Sequence, residues 1–332
     1  MQDNSTKILL QAEDLRKSYG QRQALQGLTF SLGAGRILGF LGPNGAGKTT
    51  SIRILTTMME PDSGQFTVDG ISYKNPDQIR RRIGVLPENL GFPRLITGVE
   101  YITFFGQLYG LSADQAKANA LALLQEVGLQ QRAKSLIGTY SHGMRQRIGI
   151  ARALINNPVV VFLDEPTLGL DPRGQLELLE LIQRIARERA AGVVLCSHLL
   201  SEIEGICDDV VILNSGQVVA KGTVAEVIGR TQRNIVLRNA LRVQVLADSL
   251  AEARETLEAM PNILKVTVAS EAEGWLRIEL ADASNGDVAK THQVNNKILG
   301  ALIRAQIPIL GFEIEGGRLQ DVFLRLTEEV IK

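Results

Sequence analysis

Cysteine is scarce in this sequence. Among 332 residues there are two, Cys196 and Cys207, too few for a disulfide framework or a zinc cluster, which points to a reducing compartment. An excess of charge of one sign is also missing: 36 basic and 36 acidic residues leave a formal net charge of zero, whereas a constitutive nucleic-acid binder usually carries a basic excess. No long hydrophobic run occurs. Stretches such as Val159 to Leu163 fall far below the ~20 residues a membrane helix needs. The start, Met1-Gln2-Asp3-Asn4-Ser5-Thr6, lacks the basic opening and apolar centre of a signal peptide. Low-complexity segments and long internal repeats are absent too. These absences predict a soluble chain; if it serves a membrane process, another chain supplies the membrane part. The hydrophobic content of 45% suffices for real cores, and the length suggests two domains.

What is present is organised around Gly42-Pro43-Asn44-Gly45-Ala46-Gly47-Lys48-Thr49. This fits G-x-x-x-x-G-K-[ST], the loop that cradles phosphates with backbone amides. Lys48 supplies a positive charge for the β- and γ-phosphates, and Thr49, followed by Thr50, supplies a hydroxyl for Mg²⁺. Ile37 to Leu41 reads as a buried strand entering the loop. Thr49 to Met59 reads as a helix whose positive N-terminal end meets the anion.

Upstream, Ile8 to Leu15 and Ala24 to Leu32 read as strands. Between them Tyr19 fits equally a base-stacking aromatic and a half-buried strand tyrosine. Downstream, Gln65 to Ile71 alternates like a hairpin strand, and Arg80-Arg81-Arg82 reads as a solvated helix face before a short strand ending near Leu86. Residues 97–137 look mainly helical, an insertion with apolar stripes at Tyr101, Ile102, Phe104, Phe105 and Leu108 and at Leu121, Leu123, Leu124 and Val127. Ser141 opens a helix through Leu154 as its N-cap, and the N–H groups of that turn suit an anion. Val159 to Leu163 reads as a strand buried on both faces that delivers Asp164 and Glu165 at its C-terminal end. Asp164 suits Mg²⁺ and Glu165 is placed to orient or deprotonate a water. After a turn-rich loop, Gln175 to Ala190 reads as an amphipathic helix. Gly192 to Cys196 reads as another buried strand ending at Ser197-His198, where His198 suits a structural role or a γ-phosphate contact. A hairpin at 210–220 and a short helix at 223–229 close the first domain.

The pattern resets near 230–239. Beyond it, strands and helices follow in the order βαββαβ, the split βαβ arrangement of ferredoxin-like domains, with a last helix at 319–330. Nothing there forms a catalytic cluster. The expected fold is therefore an α/β phosphate-loop NTPase cassette at 1–230, with a helical insertion at about 97–150, and a small α+β accessory domain at 231–332.

Taken in order, these residues resemble the ATP-binding subunits of ABC transporters over roughly 1–230. An aromatic at Tyr19 precedes the phosphate loop. Glu88 stands at the place of the family's Q-loop glutamine. The signature region at 140–146, the carboxylate strand, the loop Leu168-Gly169-Leu170-Asp171 and His198 follow. The C-terminal piece is similar, more loosely, to the small domain of drug- and polysaccharide-type exporter cassettes, including Leu319-Gln320-Asp321-Val322-Phe323. Two departures stand out: Glu88 replaces a glutamine, and Tyr140-Ser141-His142-Gly143-Met144 replaces Leu-Ser-Gly-Gly-Gln.

The resemblance implies ATP and Mg²⁺ as cofactors. Gly42, Pro43, Asn44, Gly45, Ala46, Gly47, Lys48, Thr49 and Thr50 would hold the nucleotide phosphates and Tyr19 the base. Thr49, Asp164 and, less directly, Glu88 would serve the metal, with Glu165 and His198 at the catalytic step. Ser141 and Gly143 would reach the γ-phosphate of a second cassette, so two chains, identical or related, would meet head to tail around two ATPs. The partner implied is an integral membrane permease, with the chain lying in the cytoplasm against the inner face of the membrane. No nucleic-acid partner is expected. The rival readings are a soluble ABC-type ATPase acting on ribosomes or DNA and a nucleotide sensor without turnover. A single phosphate loop, without coiled-coil inserts or zinc cysteines, disfavours the first, and the presence of Glu165 and His198 disfavours the second.

Overall fold

The computed structural model describes residues 7–88, 91–197, 199–234, 240–261, 263–270, 272–280, 288–314 and 319–328. Residues up to Val224 together with those from Leu326 onward form one compact unit, and Ala225–Arg325 form a second.

The first unit opens with two long strands, β1 (Ile8–Tyr19) and β2 (Arg22–Gly33). Their antiparallel pairing runs to Tyr19 opposite Arg22, so both strands outlast the stretches expected from alternation alone. Strand β3 (Ile37–Leu41) is buried at every position and enters the phosphate loop, which leads into α1 (Lys48–Leu55). Helix α1 ends at Leu55 rather than Met59. Thr57 takes a left-handed φ of 61°, and the amides of Met58 and Met59 both turn back to the Arg53 carbonyl. Strands β4 (Ser63–Val68) and β5 (Ile71–Ser72) flank an Asp69-Gly70 turn and complete an antiparallel sheet of order β2-β1-β4-β5.

Helix α2 (Pro76–Arg80) stops at the first arginine of the basic run, leaving Arg81 and Arg82 in a turn before β6 (Ile83–Leu86). Arg80 is not simply solvated: it donates to the Thr57 hydroxyl and pairs with Asp77. The insertion contains α3 (Gly98–Leu108) and α4 (Ala113–Glu126). Both start from a complete capping box, Thr97 with Glu100 and Ser112 with Gln115, which satisfies N–H groups the first turn leaves open. Their inward stripe includes Tyr101, Ile102, Leu123, Leu124 and Val127, whereas Phe104, Leu108 and Leu121 face solvent. Helix α5 (His142–Leu154) then packs beside β6 and leads to β7 (Val160–Asp164).

Helix α6 (Pro172–Glu188) begins three residues before Gln175, because Pro172 sits at the first helical position behind Asp171, where a missing N–H costs nothing. Strand β8 (Gly192–Cys196), α7 (Leu200–Ile206), the hairpin β9 (Asp209–Asn214) and β10 (Gln217–Thr223), and α8 (Val224–Asn234) follow. The six-stranded sheet has the order β10-β9-β3-β8-β7-β6, parallel except for its edge strand β10. One apolar core fills the space between this sheet and the antiparallel sheet. In it Phe30 meets Phe40 edge to face, with centroids 5.2 Å apart.

The second unit holds β11 (Ala240–Val245), α9 (Leu250–Glu258), β12 (Ile263–Ser270), β13 (Trp275–Leu280), α10 (Val288–Arg304) and β14 (Ile309–Ile314). Helix α11 (Leu319–Glu328) closes the described chain. Its sheet is wholly antiparallel with order β12-β13-β11-β14, the order a ferredoxin-like split βαβ arrangement requires. A separate core that includes Val243, Leu257, Leu276, Ile278, Ile298 and Leu302 supports it.

The contact between α5 and β6 is tight enough to test. A Cβ at Gly84 would lie 2.1 Å from the Ala153 carbonyl oxygen. Backbone cannot yield as a flexible side chain does, so Gly84→Ala is expected to destabilise the first unit by about 2 kcal/mol or more. Urea melts of the variant and parent measure this difference.

Candidate functional site

The C-terminal edge of the parallel sheet carries a cleft of about 490 Å³. It is lined by Tyr19, Arg22, Ala24, Asn44, Gly45, Ala46, Gly47, Lys48, Thr49, Thr50, Glu88, Asp164, Glu165 and Leu168. Thus a strand end at residue 19, a glycine loop, a segment after β6 and the end of β7 all meet at one place.

Two glycines fix the loop. Gly42 has φ 159° and a Cβ there would stand 2.5 Å from the Leu213 carbonyl oxygen. Gly47 has φ 110°, and a Cβ would stand 2.6 Å from that of Ala24. Neither position accepts a side chain. Gly47 is also the residue before α1, so the first-turn amides at Lys48 and beyond lack intrahelical partners and face an incoming anion. The Lys48 ammonium donates to the carbonyls of Gly42 at 2.5 Å and Pro43 at 3.2 Å. It closes the loop on itself and remains at the cleft wall.

Across the cleft, β7 ends at Asp164. Glu165 then takes a left-handed φ of 51° and its amide donates to the Cys196 carbonyl at 2.9 Å. A non-glycine residue in that region is held there by its surroundings, a pattern concentrated at functional sites. Burial, then the neighbouring Glu165 and Glu88 charges, push the Asp164 carboxyl from its ordinary 3.8 to about 6, against the opposing pull of Lys48 and Arg53. Among the described residues no three carboxylate, imidazole or thiol groups are grouped to hold a metal by themselves. That donor set suits Mg²⁺ arriving with a phosphate, since this ion is usually held by one or two protein oxygens plus phosphates and waters. Asp164 and the Thr49 hydroxyl are the residues that would take it.

Tyr19 lines the cleft about half exposed and donates its hydroxyl to Met59 Sδ at 3.2 Å. Gly42 and Pro43 shape the loop but do not line the cleft. Ser141 and Gly143 lie outside it as well. The Ser141 hydroxyl instead caps α5, accepting from the Met144 amide at 3.3 Å. His198 falls outside the described residues.

Sequence reasoning passed over Arg22, Ala24 and Leu168. Arg22 donates to the Gly45 carbonyl at 3.2 Å. The two-residue turn joining β1 to β2 places it opposite Tyr19, so hairpin pairing was the signal that could have found it. Also missed was Glu202, a buried carboxylate on α7 that accepts from Thr167 at 2.8 Å and from Ser197 at 2.7 Å.

Residues 25–168 match the ABC transporter family. The chain is 32% identical to the linearmycin resistance ATP-binding protein LnrL of Bacillus subtilis (strain 168), over 98% of this chain and 100% of that one. It is 33% identical to the daunorubicin/doxorubicin resistance ATP-binding protein DrrA of Streptomyces peucetius, over 96% of this chain and 92% of the relative. A solved structure of an ATP-binding subunit of an ABC transporter superposes with a TM-score of 0.60 at 33% identity, covering 67% of this chain and 92% of that chain.

The Asp164 shift has a sign that can be checked. A carboxyl whose folded value is raised contributes stability that is complete below its unfolded value and lost as pH rises through about 6. At pH 7.5 the charged Asp164 therefore opposes folding. Asp164→Asn without nucleotide is expected to be more stable than the parent by about 1–2 kcal/mol after allowance for solvent screening. The gain should fade below pH 4. Urea melts across pH 4–8 read it directly.

Proposed function

Because the chain belongs to the ABC transporter family, as one of its ATP-binding and ATP-hydrolysing subunits of exporter type, we propose that it drives a separate membrane permease by closing head to tail on a second cassette around two ATPs. The observation that carries this reading is the meeting, in one cleft, of Lys48 and Thr49 at the start of a helix with Asp164 and Glu165 at the end of a parallel strand.

In this reading the loop amides and Lys48 bind the β- and γ-phosphates, Tyr19 stacks on the base, and Asp164 and Thr49 hold Mg²⁺, which neutralises charge on the phosphates when bound. Glu165 orients the attacking water and takes its proton. His198 steadies the γ-phosphate. Glu88 stands at the metal side of the cleft, on the segment that would meet the permease. Ser141 and Gly143 lie off their own chain's cleft, which supports their serving the nucleotide of the second cassette. ATP then acts as a ligand that favours the closed pair, and hydrolysis releases it.

No helix among the described residues is long and apolar enough to cross a membrane; in this reading a separate permease spans it and this subunit lies on its inner face. Relatives named for resistance to linearmycin and to daunorubicin/doxorubicin support outward transport of a compound of that kind. The compact unit Ala225–Arg325, which starts ahead of the boundary expected near residue 230, holds the ferredoxin-like sheet, and its function in this reading is to restrain or support pairing of cassettes. Removing 231–332 is expected to shift ATP-driven dimerisation while nucleotide affinity holds. A truncated cassette with unchanged dimerisation and ATPase rate refutes that role.

The central test uses Glu165→Gln, which keeps shape and removes the base. In light scattering with saturating MgATP this variant is expected to be a stable dimer, and it should be a monomer without nucleotide. Adding Lys48→Ala is expected to weaken nucleotide binding at least tenfold, roughly the worth of one strong charged contact, and to abolish the dimer. A variant that stays monomeric at saturating MgATP overturns the head-to-tail reading.

A further inference from the structure

We propose that His142 is a positioning residue: it latches the turn that opens α5 to the loop behind Glu165, so that the two segments move as one. The loop at 166–171 leaves the cleft directly after Glu165, and Leu168 is part of the cleft wall. On its inner side this loop is fixed by Thr167, 1% exposed, whose hydroxyl donates to Glu202 Oε2 at 2.8 Å. The Ser197 hydroxyl donates to the same oxygen at 2.7 Å. Glu202 thus ties the loop to the end of β8, and its second oxygen, Oε1, is buried with no hydrogen-bond partner among the described residues.

On the outer side the Leu168 carbonyl lies 2.8 Å from His142 Nε2. A carbonyl only accepts, so Nε2 carries the proton and donates. Among the described residues this is the hydrogen bond that joins the two segments. Backbone geometry makes room for it: Gly169 has φ 76°, and a Cβ there would stand 3.4 Å from His142 Nε2. Gly143, the residue after His142, faces Leu170 of the same loop, whose Cδ2 would lie 3.5 Å from a Cβ placed there. A continuous path results, from Ser197 through Glu202, Thr167 and Leu168 to His142, beside Ser141 and Gly143.

The consequence rests on the head-to-tail reading given above. If the turn at 141–143 serves the second cassette's nucleotide, then the latch makes a chain's own cleft set the placement of the patch it offers its partner. A glycine at 142 would leave the loop and the turn independent. Histidine joins them through a side chain long enough to span the gap, at the entropic cost of ordering one exposed imidazole.

The experiment uses the full-length chain with His142→Ala and His142→Gln, the latter retaining an N–H donor. Backbone amide exchange without nucleotide reads the latch itself. Exchange over 167–171 is expected to quicken about tenfold in His142→Ala, the scale of one lost local restraint. Steady-state ATPase reads its use: kcat should fall about fivefold with KM for ATP changed by less than about twofold, because the loss lies in assembly of the closed state and not in binding. His142→Gln should recover most of both. Unchanged exchange in His142→Ala overturns the latch, and unchanged kcat beside quickened exchange overturns its positioning role. Equal loss in His142→Gln assigns the effect to ring packing, which also refutes the proposal. If Glu165→Gln fails to dimerise, the head-to-tail reading falls while the exchange result still decides the latch.

Discussion

The register of three parallel strands is the constraint on which the site depends. Phe40 of β3 pairs with Cys196 of β8, and Cys196 in turn pairs with Asp164 of β7. Cys196 is therefore the shared rung that sets the end of the loop strand level with the end of the carboxylate strand. Its carbonyl also receives the Glu165 amide. A slip of one residue between β7 and β8 would turn Asp164 to the opposite face of the sheet, and one between β3 and β8 would move the loop strand out of step with it. The continuous apolar runs of β3, β7 and β8, buried on both sides, resist such a slip because any shift would carry Asp164 or the loop into the core.

Holding acidic groups there opposes folding locally. Asp164 is half-buried, and its raised pKa reflects that burial first and then the repulsion from Glu165 and Glu88. Glu165 adds a left-handed backbone. A divalent cation held by Asp164 would offset the repulsion among these carboxylates, since its charge reverses the sign of the local electrostatics.

How much of this could be read from the residues depended on the range of the interaction involved. The phosphate loop is a pattern of eight consecutive residues, so Gly42 and Gly47 were legible although the Leu213 and Ala24 carbonyls that crowd them are distant in sequence, as was the apolar strand ending in Asp164. The helix caps at Thr97, Ser112 and Ser141 obey rules spanning three residues. The early end of α1 was not legible because Thr57 is pulled into a left-handed turn while Arg80 binds its hydroxyl from 23 residues away. Glu202 escaped notice because its partner Thr167 is 35 residues upstream, and the His142 contact spans 26. The exposure of Phe104, Leu108 and Leu121 likewise follows from which side of α3 and α4 meets the first unit's interior, which periodicity identifies only as a stripe.

The contrast between the two units locates the chemistry by topology. A parallel sheet sends its strand ends, and hence its loops and helix N-termini, to one edge, where dipoles and backbone donors accumulate. The six-stranded sheet does this at Leu41, Leu86, Asp164 and Cys196. The second unit's four strands alternate in direction, so the ends of neighbouring strands fall on opposite edges and no such accumulation arises. Its described residues instead form a self-contained core under two helices. The first unit alone carries, among the described residues, the arrangement that binds and cleaves a phosphate chain.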